Sequence, residues 1–61
     1  MTAKDFAAWL DHMKLKKRPA AEALGISRNS VDRYLENGAP RTVALACAAI
    51  AFGLPPWSQK N

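Results

Sequence analysis

The chain has one cysteine, Cys47, and one histidine, His12, in 61 residues. A lone thiol closes no internal disulfide, and no second ligand type lies near either residue at metal-binding spacing, so neither a disulfide scaffold nor a metal site is expected. That cysteine usage suits a reducing, cytoplasmic setting. There is no glycine-rich phosphate loop and no catalytic pairing of carboxylates, and neither Ser27 nor Ser30 lies near a histidine in sequence. No enzymatic activity, catalytic residue, cofactor or small-molecule ligand is expected. The longest apolar run, Val43 to Phe52, falls far short of the roughly 20 residues that span a membrane. Asp5, Asp11 and His12 interrupt the apolar positions near the start, so no signal peptide is read there and no membrane partner is expected.

What remains is a chain with 49% hydrophobic and 23% charged residues and a formal charge of +4. It is too apolar to stay disordered, and it is short enough to be one domain spanning residues 1–61. So small a domain buries a limited fraction of its surface, which leaves a monomer marginal. The charge is concentrated. Lys14, Lys16, Lys17, Arg18, Arg28, Arg33 and Arg41 face only Glu22, Asp32 and Glu36 in the same region, which accounts for the whole basic excess. A local concentration of this kind is the electrostatic footprint of a nucleic-acid binder.

The stretch Arg18 to Gly38 explains that concentration. Pro19 to Leu24 is rich in alanine and good helix formers, with Pro19 in a first turn where its missing amide costs nothing. Gly25 follows the last apolar position, where a left-handed residue commonly ends a helix. Ser27 can then cap a second helix, so about three residues separate the two, as in a helix-turn-helix with its core over about residues 17–37. Ala20, Ala21 and Ala23 allow close approach of the helices, with Ala21 expected at the tightest point. In the second helix Val31, Tyr34 and Leu35 share one face. The other face carries Arg28, Asn29, Asp32 and Arg33, with Ser30 at its margin. Arginine forks onto guanine and asparagine onto adenine, so Arg28, Asn29 and Arg33 are the candidate base readers, assisted by Ser30. Asp32 either accepts from cytosine or braces Arg28 at i, i+4, and the bracing role is the expected one. Lys17 and Arg18, at a helix start that favours anions, are candidate phosphate clamps together with Asn37 and Arg41.

On either side of this stretch the pattern predicts two more helices. Thr2 and Asp5 have capping-box spacing ahead of the stripe Phe6, Trp9, Leu10, Met13. After Gly38, Pro40 opens a helix with one stripe of Val43, Ala46, Cys47 and Ile50 and another of Leu45, Ala49 and Phe52. Cys47 reads as a small buried hydrophobe. A helix apolar all round needs covering on both sides, which a domain of this size cannot supply alone, so a partner chain is expected. Leu45, Ala49, Phe52, Leu54 and Trp57 are the candidate dimer contacts. The stiff Leu54-Pro55-Pro56-Trp57 segment is expected to carry its tryptophan back onto the body or across to a second subunit.

Leu24-Gly25-Ile26-Ser27-Arg28-Asn29-Ser30-Val31, with Leu35-Glu36-Asn37-Gly38 and an alanine at position 21, resembles the helix-turn-helix of phage repressors of the Cro/CI (Xre) type. The resemblance is strong from Leu15 to Gly38 and looser through Trp57. It implies an all-α, lambda-repressor-like domain of about four helices and an operator-binding regulator, usually a dimeric repressor, with double-stranded DNA as partner. The third helix would enter the major groove of a palindromic operator. The family's fifth helix has no room here, so the domain is expected to stop after helix four. The alternative function is a protein-interaction module, such as an antitoxin or phage adaptor, that works through the apolar fourth helix.

Overall fold

The computed structural model describes residues 1–59. Within them the chain forms four helices and no strand: α1 Ala3–Met13, α2 Lys17–Leu24, α3 Arg28–Asn37 and α4 Arg41–Ala51. The all-helical, four-helix expectation is met.

Each boundary has a local cause. At the start of α1 the Thr2 amide donates to the Asp5 carboxylate at 2.9 Å and the Asp5 amide donates to the Thr2 hydroxyl at 3.0 Å, a closed capping box. The Thr2 amide first, and the Thr2 hydroxyl after it, hold the Asp5 carboxyl below its ordinary pKa. Three of the four helices end in the same way, with a residue of positive φ followed by an apolar residue whose amide reaches back five positions: Lys14 then Leu15, Gly25 then Ile26, Gly53 then Leu54. Leu15 and Ile26 pack on the core, so each stop signal also anchors the chain that follows. Within the basic run Lys14–Arg18 the join between the helices is short. There α2 starts at Lys17, which puts Lys17 and Arg18 on its first turn.

The core is built from Phe6, Trp9, Leu10, Ala20, Ala21, Val31, Val43 and Cys47. Phe6 sits at its centre, stacked on Trp9 with centroids 5.9 Å apart and edge-on to Tyr34 at 5.6 Å. The Trp9 indole N–H donates to the Cys47 carbonyl at 2.9 Å, tying α1 to α4 and satisfying the one polar atom of a buried ring. Burial pushes the Cys47 thiol up from its ordinary pKa, in keeping with an inert core residue. On α2 both Ala20 and Ala21 are buried in the core, as close approach of the helices requires, and Ala23 is exposed.

At the α3–α4 joint the Ala39 amide donates to the Met1 carbonyl at 2.9 Å and the Met1 ammonium donates to the Ala39 carbonyl at 3.3 Å. Gly38, beside them, has φ +91°, and a Cβ there would lie 2.7 Å from the Met1 carbonyl oxygen. The inner stripe of α4 faces the core through Val43 and Cys47, while Leu45, Ala48 and Phe52 are exposed. Beyond Gly53 the described residues have no regular structure and all are exposed.

Candidate nucleic-acid interface

Gly25, Ile26 and Ser27 turn α2 into α3, which packs on α1 and α2. The Ser27 hydroxyl accepts from the Ser30 amide at 3.1 Å and starts α3 at Arg28. Val31 is fully buried, and Tyr34 and Leu35 are half-buried beside it. At 100° per residue that fixed face sends Asn29 and Arg33 outward, while Arg28 lies nearer the Val31 side and is exposed because it is the first residue of the helix. Among the described residues neither Arg28 nor Asn29 has a side-chain hydrogen bond or ion pair, so their donors are free at the start of the helix.

Ser30 and Arg33 are not free in the same sense. An Arg33 Nη donates to the Ser30 hydroxyl at 3.2 Å, and Ser30 in turn shares a hydrogen bond with the Ser27 hydroxyl at 3.1 Å. The capping serine therefore begins a short relay that leans the Arg33 guanidinium toward the N-terminus of α3. A guanidinium has five N–H donors, so Arg33 retains the rest for a ligand.

Asp32 does not brace Arg28. Its carboxylate takes the Lys17 ammonium at 2.8 Å, across the gap between α2 and α3, and the Oδ1 involved is shielded from solvent with Lys17 as its partner. The expectation failed because i, i+4 spacing ranks partners within one helix, whereas the tight turn brings a longer side chain from α2 within reach. The Lys17 contact, more than the positive charge of nearby Arg28, holds the Asp32 carboxyl below its ordinary pKa against some loss of solvation. Lys17 is thus a strut between the two helices of the motif before it meets any ligand.

The other candidate clamps, Arg18, Asn37 and Arg41, are exposed. Arg18 and Arg41 occupy the first turns of α2 and α4, neither of which has a side-chain cap, unlike α1 and α3. Their first amides and positive dipole ends suit an anion. Glu36 went unremarked as part of this surface. It is exposed one turn beyond Asp32 and Arg33 and lies on the same outward arc, a position its spacing alone assigns. An acid there repels phosphate.

Leu45, Phe52, Leu54 and Trp57 are exposed, Phe52 at 82% and Trp57 at 90%, while Ala49 is half-buried. Trp57 is not folded back on its own body. Among the described residues no helix is long and apolar enough to cross a membrane, and no three His, Cys, Asp or Glu side chains gather at a metal-binding distance. No family model, characterised protein or solved structure matches the chain.

Proposed function

We propose that the chain is a sequence-specific double-stranded-DNA-binding regulator of the Cro/CI-like type, which represses from a palindromic operator by placing α3 in the major groove. The observation that carries this reading is the pair Arg28 and Asn29, unpartnered and exposed at the first two positions of a helix that Val31 anchors in the core. Side chains at the start of a recognition helix are the ones that reach base edges. Arg33, oriented through Ser30, is the third reader. Arg18 and Arg41 hold backbone phosphates with the helix starts they occupy, Asn37 assists, and Lys17 joins them when a phosphate displaces Asp32. Two copies meeting through α4 would present two such helices one turn of DNA apart.

Selection of bound duplexes from a random pool, followed by titration at two salt concentrations, tests the proposal. Arg28→Ala, Asn29→Ala and Arg33→Ala should each cost roughly 1–3 kcal/mol on the selected site and relax one base position, whereas Arg18→Ala should weaken every sequence alike and lower the salt slope by about one. Equal losses on selected and random DNA for all three reading variants would refute direct readout. The exposed Leu45 and Phe52 on α4 favour a second reading, a module that binds another protein; such a chain would show no counterion-release slope.

A further inference from the structure

The DNA-reading surface makes no use of the groove between α2 and α4. There Ala23 and Leu24 of α2 and Ala49 and Ile50 of α4 form the walls, and Pro55 and Pro56 help to line it. Its volume is about 300 Å³, it is open along one side, and the lining is predominantly apolar. That volume lies at the lower end of the range for ligand pockets, which suits one aromatic side chain better than a whole helix.

The next residue along the chain is Trp57, 90% exposed. Two consecutive prolines fix φ and stiffen the path, and the indole that follows them stands outside the groove they help to line. A large apolar ring therefore stands in water beside an apolar slot that it does not fill.

We infer that the groove receives Trp57 of a second copy of this chain, and that the two copies exchange these side chains reciprocally. A twofold axis makes the contact self-complementary, because each copy offers one indole and one groove. The area suffices. Aromatic side chains bury 150–250 Å² each, so Phe52 and Trp57 from two copies contribute about 600–1,000 Å². Leu45 and Leu54 carry the total past the roughly 1,000 Å² that separates a specific interface from a chance contact. The exchange rests on the two-copy reading above and names the contact that holds the copies together.

The full chain, labelled with 5-fluorotryptophan and studied without DNA, tests it by fluorine NMR alongside sedimentation equilibrium, with Trp57→Phe assigning the two resonances. Trp9, buried in the core, should ignore an H2O-to-D2O solvent change at every concentration. Trp57 should respond when dilute and lose most of that response over the range in which the mass doubles. Trp57→Ala should raise the dimer Kd at least tenfold. Ala23→Glu, an exposed helix position on the groove wall, should do the same, and mixing the two variants should restore a heterodimer through one intact contact. A dimer whose Trp57 stays solvent-sensitive, or an unchanged Kd in Trp57→Ala, overturns the exchange and leaves the two-copy reading standing. A chain that is monomeric at millimolar concentration overturns both. An indole protected even in the monomer places it on its own chain, and the exchange is then wrong.

Discussion

Gly38 and Gly25 both have positive φ, yet their surroundings differ. At Gly25, φ +69°, a Cβ would meet nothing within 4 Å, whereas at Gly38 it would press on the Met1 carbonyl. Gly25→Ala should therefore cost only the left-handed penalty, roughly 1–2 kcal/mol. Gly38→Ala should cost more, roughly 2–4 kcal/mol, because the overlap also opens the paired bonds between Met1 and Ala39. Urea midpoints at constant slope measure both, and equal losses would show that the Met1 contact contributes nothing. Ser27 combines two duties at the same scale. Ser27→Ala should lower stability by about 1 kcal/mol through the lost cap, and by releasing Ser30 and Arg33 it should blunt discrimination at the base that Arg33 reads. Operator selection with the variant checks the second effect independently of the first. Both glycines were legible as helix stops from their places after apolar runs. The pairing of Met1 with Ala39 was not, since it joins residues 38 positions apart and involves only backbone atoms, which leave no trace in side-chain pattern.

Among the elements, α2 and α3 are joined by a turn, by apolar packing and by the Lys17–Asp32 pair. Both partners of that pair are about half exposed, so it is screened by salt and adds little to stability at ordinary ionic strength. The Asp32 pKa is depressed in the folded chain, so the contribution is present at neutral pH and is lost as pH falls through the folded value, below the ordinary carboxylate range. The larger consequence concerns binding. In the proposed complex a DNA phosphate must compete with Asp32 for the Lys17 ammonium, and Asp32→Asn removes the competitor along with a negative charge on the proposed reading face. Asp32→Asn should thus tighten binding to random duplexes and steepen the salt slope by about one unit. If the slope is unchanged in Asp32→Asn and in Lys17→Ala alike, Lys17 is a strut only. All four helices could be read from caps, glycines and apolar spacing, because each of those signals acts within a few residues. The partner of Asp32 could not, because it depends on the angle at which two helices meet.

At the level of the molecule, the described residues form a single layer of core around Phe6, and nothing among them covers Leu45 or Phe52. The sequence showed that α4 is apolar on two sides and which stripe faces inward. It did not show where the tail goes, because two prolines set its stiffness and not its direction. A monomer of this size buries only about 60% of the surface its unfolded chain exposes, so area contributed by a second copy is a large share of the whole. If the copies associate through α4, folding and assembly are linked and thermal stability depends on concentration. At about 0.7 kcal/mol of unfolding enthalpy per residue, a tenfold rise in chain concentration should raise Tm by about 5 °C for a dimer that unfolds directly to separated chains. Phe52→Ser removes exposed apolar area without touching the core, so it should leave the dilute-limit Tm within a degree or two and abolish most of the dependence. Calorimetry across two decades of concentration measures both quantities. A Tm independent of concentration in the unaltered chain would mean that each copy folds alone. Any operator symmetry would then have to arise on the DNA, where two reading helices spaced by one helical turn supply the cooperativity that free chains lack.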